Sequence, residues 1–380
     1  MHSKRVLHVF AALKRRGAQI RTVEIYAGLK QQHPVRFDFF TTKSDPEPLE
    51  EEIAALGGQV YHSPFQGNLL RSLIHFRRLL AQEQYDVVHA HLHLFSGLFL
   101  LLARRARVPV RIAHFRNMHD GGGQHAARRL YRALMRRLVW RYATQIVGVS
   151  AAALRGGLGH RAPDRRCQII YNGVDLAPFD QAQSDPQALR RAPGWPVGAP
   201  VVINVARFDV QKNHGVILET AAKVLQARPD VRFLLVGDGD LRPQIEAQIE
   251  RRALSHAVCC PGARSDVPFL LKSADLFFFP SLWEGLPGAV LEALAAGLSV
   301  VGSDIQPMQE IAPHFPHRAF LAGPNASDQH ARHILEALAA TPPLAYTLAR
   351  QQFLATPFAM PQATQQFAAL YGLTQEVQLF

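Results

Sequence analysis

Glu284 and Glu292, two carboxylates with seven residues between them, frame the stretch Phe279-Pro280-Ser281-Leu282-Trp283-Glu284-Gly285-Leu286-Pro287-Gly288-Ala289-Val290-Leu291-Glu292. It reads as the end of a buried strand, a tight loop with an acid at its entrance, and a helix carrying the second acid. Asp275-Leu276-Phe277-Phe278-Phe279 is a short continuous apolar run, as in strands covered on both faces. Pro287 can serve as a first helical residue, and Gly297 closes the Ala-rich helix that follows. The loop thus delivers Glu284 to the carboxyl end of a strand, where open α/β sheets place their ligands. The alternative is that both acids only complement a helix dipole and face water.

Arg207-Phe208-Asp209-Val210-Gln211-Lys212-Asn213 joins another buried strand to a helix that Asn213 can cap. Cations such as Arg207 and Lys212 beside helix N-termini suit phosphates. Val236-Gly237-Asp238-Gly239-Asp240 is a further strand-to-helix turn at the same edge, and it lacks the spacing of an EF-hand calcium loop. Pro261-Gly262-Ala263-Arg264-Ser265-Asp266 is another, with Arg264 as a candidate contact to a base. Several loops at one sheet edge converge on one ligand, and a nucleoside diphosphate suits their chemistry.

In the first half, Arg15-Arg16-Gly17 follows the first strand, and its backbone amides could approach phosphate. It is not G-x-G-x-x-G, so a dinucleotide oxidoreductase has little support. His89, His91 and His93 alternate and could share one strand face. Zinc hydrolases use His-x-His, but the further ligands a zinc site needs are not visible as a set, so no metal is expected. His91, at the strand's open end, is the better substrate contact, and His89 reads as a core histidine.

These residues need a scaffold of strands. The first half offers them over 5–10, 35–41, 59–62, 86–91, 110–114, 145–150 and 168–171. Helices fall over about 19–30, 47–55, 69–82, up to 105, and 124–142, the last after the loop Gly121-Gly122-Gly123. From Asp180 to Pro200 the pattern stops, and Pro186, Pro193, Pro196 and Pro200 with Gly194 and Gly198 mark a linker. Strands resume over 201–207, 232–236, 257–260, 276–279, 298–302 and 320–321, with helices from His214, Leu241, Val267 and Gly288. After about residue 344 the chain is helical and Gln-rich, with no strand. Such alternation implies parallel sheets with right-handed crossovers, here in two similar α/β domains with a cleft between them.

Composition narrows the class. With 380 residues and 48% hydrophobic content, the chain can bury two cores. Cys167, Cys259 and Cys260 form no even framework, which favours a reducing compartment. The N-terminus reads as no signal peptide, and the greasy segment from Leu92 to Ala103 is too short to span a bilayer, so a cytoplasmic protein is expected. Residues 1–173 hold 27 Lys/Arg against 11 Asp/Glu, while the rest hold 15 against 19. The basic half therefore prefers anionic partners. The helix over 124–142, with Arg128, Arg129, Arg132, Arg136, Arg137 and Arg141 beside Leu130, Leu134, Leu138 and Trp140, is either a core-packed helix with a solvated face or a dock for an anionic leaflet. No nucleic-acid module is visible, so nucleic acid is not expected as a partner.

In order along the chain, several pieces resemble one family: Arg5-Val6-Leu7-His8-Val9-Phe10, Asp86-Val87-Val88-His89-Ala90-His91, Arg111-Ile112-Ala113-His114, Tyr171-Asn172-Gly173-Val174-Asp175, Ala206-Arg207-Phe208-Asp209, Gln211-Lys212-Asn213-His214, Leu235-Val236-Gly237-Asp238-Gly239, Gly262-Ala263-Arg264-Ser265-Asp266-Val267-Pro268, and the Glu284-x7-Glu292 stretch. Together they are similar to the retaining glycosyltransferases of family 4, bacterial surface-polysaccharide branch. The resemblance implies the GT-B fold: two Rossmann-like doubly wound parallel-sheet domains facing across a cleft. The acceptor-side domain would span 1–175 plus crossover helices over about 355–380, and the nucleotide-sugar domain 196–354.

It also implies roles. Glu284 would face the donor sugar, Glu292 the ribose, and Arg207 and Lys212 the departing diphosphate. Gly285, Leu286 and Gly237 would line the donor pocket, Arg264 the base, and Gly17 the phosphates from the first domain. His91 would be the acceptor-side histidine, with His93 as a fallback. The donor would be a nucleoside-diphosphate sugar, the acceptor a glycan or lipid-linked sugar, and no cofactor or metal would be needed. A lipid-linked acceptor would place the basic half at the inner face of the cytoplasmic membrane. The family usually carries Gly-Gly-x-Glu after the first strand, whereas this chain reads Arg16-Gly17-Ala18-Gln19, so Arg16 either crowds the phosphates or adds a cation for them. Another GT-B activity, such as a nucleotide-sugar epimerase, and a non-catalytic sugar-binding relative are the competing readings.

Overall fold

Covered by helices on both faces, the apolar runs of the first half pair in parallel, since only a crossover helix can connect neighbours of the same direction. The strands are β1 (Lys4–Phe10), β2 (Val35–Thr41), β3 (Val60–His62), β4 (Val87–Ala90), β5 (Val110–Phe115), β6 (Gln145–Gly148) and β7 (Cys167–Ile169). Their order across the sheet is β3-β2-β1-β4-β5-β6-β7, so the winding reverses between β1 and β4. The second sheet holds β8 (Val201–Val205), β9 (Arg232–Val236), β10 (Val258–Gly262), β11 (Leu276–Phe279), β12 (Ser299–Ser303) and β13 (Ala319–Ala322), in the order β10-β9-β8-β11-β12-β13. Its winding reverses between β8 and β11. Both sheets are doubly wound and parallel.

The computed structural model describes residues 3–15, 17–43, 45–63, 68–120, 123, 125–159, 161–191 and 194–374. Arg16, Gly121, Gly122 and Pro193, singled out above, lie outside the described residues. The chain divides into one unit of Met1–Gly173 with Met360–Phe380 and another of Val174–Ala359. The first core is built on Val6, Phe37, Phe39, Val87, Ile112 and Val147, joined by Phe367 and Tyr371 of the returning chain. The returning helix Met360–Leu370 lies close on helix Gly17–Gln32, where a Cβ at Gly28 would stand 3.2 Å from Thr364 Oγ1. The second core gathers Val202, Phe208, Ile217, Phe233, Leu276, Phe278 and Ile334.

The stretch from Asp180 to Pro200 is not the linker its prolines suggested. It begins in the helix Ala177–Gln181, carries the helix Pro186–Arg191, and belongs to the second unit. Pro186 begins its helix, where the missing N–H is no loss. Buried Arg190 then pins the segment by donating to Asp275 Oδ2 at 2.6 Å and Ala199 O at 2.6 Å. The helix Tyr346–Leu354 stays in the second unit as well, where Tyr346 Oη and Arg350 Nε both donate to Asp180 Oδ1. Among the described residues no helix is long and apolar enough to cross a membrane.

Candidate functional site

The reversal of winding between β8 and β11 opens a crevice at the carboxyl edge of the second sheet, the place where such sheets bind ligands. Two loops enter it. The loop after β8 carries Arg207, Asp209 and a 3-10 turn over Val210–Lys212; the loop after β11 carries Ser281 to Pro287. They are zipped together by Leu282 N donating to Gln211 O at 2.9 Å and Gln211 Nε2 donating to Trp283 O at 2.8 Å. That register places Lys212 Nζ 2.6 Å from Glu284 Oε1, with 14% and 8% of the two side chains exposed. Lys212 Nζ also stands 4.8 Å from the centroid of the Phe279 ring.

Asn213 holds this arrangement in a different way from the helix cap expected of it. It holds the N-cap position of the helix His214–Ala227, where its carbonyl accepts from Val216 N at 3.0 Å, but its backbone is left-handed at φ 57° and its side chain makes no capping bond. Its Nδ2 instead donates to Pro280 O at 3.2 Å and Pro324 O at 3.0 Å. The amide thus ties the end of β11 to the loop after β13. Pro287 is likewise displaced by one position. With ψ 96° it is extended and lies outside the helix, while its carbonyl accepts the first helical bond from Leu291 N; the helix is Gly288–Ala295.

Arg207 arrives at the same loop but turns to Asp209, 2.7 Å away, and remains 55% exposed. The two cations therefore each face a carboxylate. Gly285 and Leu286 are buried beside Glu284, and Glu292 is half-buried in the second turn of the following helix. Gly237 contributes backbone proximity. Its φ is 142°, a Cβ there would stand 1.8 Å from Ala206 O, and its N–H is engaged by Gly262 O at 2.9 Å. Only glycine lets β8 and β9 close at this point. Arg264 forms a two-bond pair with Asp266 (2.8 and 2.7 Å) and lines a cavity of about 240 Å³ with Leu189, Leu234, Cys259, Pro261 and Phe269. Its apolar walls and single cation suit a flat heteroaromatic group.

In the first unit the equivalent crevice lies between β1 and β4. Gly17 begins the helix after β1, is exposed, and has nothing within 4 Å of where a Cβ would point. His89 is a core residue with both nitrogens engaged, Nδ1 with Tyr371 Oη at 2.8 Å and Nε2 with His114 Nδ1 at 3.0 Å. His91 lies just past β4, its ring 4.2 Å from that of His89. Arg116 Nε donates to His91 Nδ1 at 3.0 Å, and His91 Nε2 is 3.0 Å from His8 Nδ1. A guanidinium only donates, so the proton of neutral His91 rests on Nε2 and is given to His8. His93 leaves this line. At φ 53° in a 3-10 turn, it lines a separate polar cavity of about 200 Å³ with Asp120, Arg132 and Arg136, so the three histidines do not share a face.

Burial holds His8, His89, His91 and His114 well below the ordinary imidazole range, and the charge of Arg116 adds to the effect. His8, His89 and His91 bring one nitrogen each within 4.8 Å of one another, the spacing of a metal trio. The donor set does not fit a cation: no carboxylate is among the three, Nε2 of His91 is shared with His8, and a guanidinium stands 3.0 Å from His91. Sequence reasoning missed His8, His114, Arg116 and Tyr371 as a group. The available signal was a histidine near the carboxyl end of each of β1, β4 and β5, but only the sheet order makes those strands neighbours.

The Glycosyl transferase 4-like domain family matches residues 3–173, and the Glycosyl transferases group 1 family matches residues 185–349. The chain is 34% identical over 308 residues to the Bacillus subtilis protein EpsF, named as a putative glycosyltransferase, covering 79% of each chain. It is 25% identical over 320 residues to CapH of Staphylococcus aureus, a capsular polysaccharide biosynthesis glycosyltransferase, covering 83% of this chain and 86% of that one. It is 30% identical over 243 residues, 62% of each chain, to the Escherichia coli UDP-Gal:alpha-D-GlcNAc-diphosphoundecaprenol alpha-1,3-galactosyltransferase. Among solved structures, Anabaena HepE in complex with UDP and glucose superposes with a TM-score of 0.78 at 20% identity, covering 97% of this chain and 99% of that one.

Proposed function

The chain is a glycosyltransferase of family 4 with the GT-B fold, and from that premise we propose that it moves a hexosyl sugar, with retention, from a nucleoside diphosphate to a glycan or lipid-linked acceptor in cell-surface polysaccharide synthesis. The observation that carries this reading is the Lys212–Glu284 pair at the reversal point of the second sheet. Breaking a sugar–diphosphate bond develops negative charge on phosphate and positive charge on the sugar. Lys212, with Arg207 in the same loop, is placed to stabilise the first, and Glu284 to position the sugar that carries the second. Glu292 takes the ribose, Gly285 and Leu286 line the pocket, Gly237 closes its floor, and Arg264 borders the base. In the first unit, Gly17 approaches phosphate and His91 the acceptor. Fixed cations supply the charge that a divalent ion would bring, so the reaction proceeds without metal.

The relatives support the pathway and the acceptor: CapH is a capsular polysaccharide biosynthesis glycosyltransferase, and the Escherichia coli relative is a UDP-Gal:alpha-D-GlcNAc-diphosphoundecaprenol galactosyltransferase. A lipid-linked acceptor also gives the basic first unit a use. Helix Ala126–Tyr142 exposes Leu130 and Leu134, 72% and 52%, among its arginines, as a helix resting on an anionic leaflet would. The deciding experiment incubates the purified chain with a panel of nucleotide sugars and glycan or lipid-linked acceptors, with and without EDTA. Nucleoside diphosphate release and the product's anomeric configuration are the readouts. Release that survives EDTA, with a retained anomer, is expected. An inverted product or an absolute metal requirement overturns the corresponding part of the mechanism.

A further inference from the structure

Arg116 sits one residue past β5 and reaches back to the reversal point between β1 and β4. Its guanidinium is held from three directions: Nε donates to His91 Nδ1 at 3.0 Å, Nη1 to Asn172 Oδ1 at 3.2 Å, and Nη2 to Thr22 Oγ1 at 2.9 Å. These come from the end of β4, the loop after β7 and the helix after β1, so the fork is rigidly aimed. All three partners are neutral. Arg207 and Arg264, in the loops after β8 and β10, are each paired with a carboxylate, Asp209 and Asp266. Arg116 has none among the described residues; the ionisable groups around it are four histidines kept neutral by burial and Tyr371, whose hydroxyl burial keeps protonated. A guanidinium has five N–H donors, and three are used here.

We infer that Arg116 binds a phosphate group in the crevice of the first unit. A planar guanidinium fork matches the oxygens of a phosphate, and a fixed cation without a counter-ion is completed by one. The crevice at a reversal of winding is where a ligand lies. The inference rests on the glycosyltransfer reading for the source of the phosphate: the diphosphate link of a lipid-borne acceptor, or the donor's own diphosphate. By fixing His91 through Nδ1, the same side chain couples the bound phosphate to the acceptor-side histidine.

Calorimetry on the full chain separates the sources. Inorganic pyrophosphate is titrated into the protein saturated with UDP, and UDP is titrated alone, for the native chain, Arg116→Gln and Arg116→Lys. Loss of a charged hydrogen-bonding partner weakens pyrophosphate binding about 10- to 100-fold in Arg116→Gln and less in Arg116→Lys, which keeps the charge but loses the fork. UDP affinity unchanged alongside that loss assigns the phosphate to the acceptor; UDP affinity falling by the same factor assigns it to the donor. Melting temperatures check folding. A variant that is folded, or merely less stable, and binds both ligands like the native chain overturns the inference, as does a native chain whose UDP-saturated form binds no pyrophosphate while its UDP affinity is indifferent to residue 116. A native chain that binds pyrophosphate through Arg116 but never binds UDP counts against the nucleotide-sugar reading and leaves this one standing.

Discussion

Replacing Lys212 with Met tests whether the Lys212–Glu284 pair is machinery or merely scaffold. At 2.6 Å, with both side chains largely buried, the gross attraction is about 6 kcal/mol at an effective dielectric of 20. Most of it is offset by desolvation, so the pair is a weak net stabiliser, yet removing one partner strands a buried charge and costs about 3–5 kcal/mol. For a unit of this size that lowers the melting temperature by about 6–20 °C. Glu284→Gln should cost less, because the lysine's flexible stem can carry its ammonium toward water. The double variant Lys212→Met/Glu284→Gln removes both charges and should recover stability to within about 1–2 kcal/mol of the native chain. Turnover behaves differently. All three variants should lose about 10²–10³-fold in kcat, because a preorganised charge is missing in each. Calorimetric melting and a nucleoside diphosphate release assay, run on the same preparations, read the two effects. Two results refute the reasoning: full kcat in folded Lys212→Met, or a double variant as unstable as Lys212→Met alone.

Acid should destabilise the fold well before carboxylates protonate. Buried His214 and His330 are held down to about 4 by desolvation, so between pH 6.5 and 4 the unfolded chain binds protons that the native chain refuses, and stability falls with pH. Each contributes a loss of up to about 3 kcal/mol by pH 4, and a urea midpoint that is level from pH 7 to 4.5 contradicts this. Gly237→Ala drives a methyl into Ala206 O and should cost on the order of 3 kcal/mol or more, seen as loss of the second unit's melting transition; a melt like that of the native chain shows that β8 and β9 need not approach so closely. Leu130→Ser with Leu134→Ser should weaken cosedimentation with anionic vesicles at low salt, whereas equal binding by the variant moves the contact to another face.

Element types were legible because buried parallel strands are short apolar runs and the helices between them carry their own period. The runs at 35–41, 232–236 and 276–279 are strands over those same residues. The misreading of 180–200 came from counting prolines as breakers without asking which of them could start a helix, and from the invisibility of Arg190's partner, Asp275, 85 residues away. The same limit governs the site. Glu284 and Lys212 were readable as residues at strand ends, but their pairing depends on β8 and β11 lying side by side, which no spacing in the chain encodes. Asn213 was read as a cap because its type and position fit one; its left-handed backbone, which frees the amide for two distant carbonyls, is a tertiary fact.

Sheet order is therefore the missing variable, and it acts in the same way in both units. In the second, reversal between β8 and β11 joins loops 72 residues apart into one ion pair. In the first, reversal between β1 and β4 sets His8 opposite His89 and brings Thr22, His91, Arg116 and Asn172 around one guanidinium. A residue at a strand's carboxyl end is a weak functional signal by itself. When its side chain bonds the loops at a reversal of winding, it becomes a strong one. By that criterion Arg116, which follows β5 but bonds His91 past β4 and Thr22 of the helix after β1, belongs with Lys212 and Glu284 rather than with the many other arginines of the basic half.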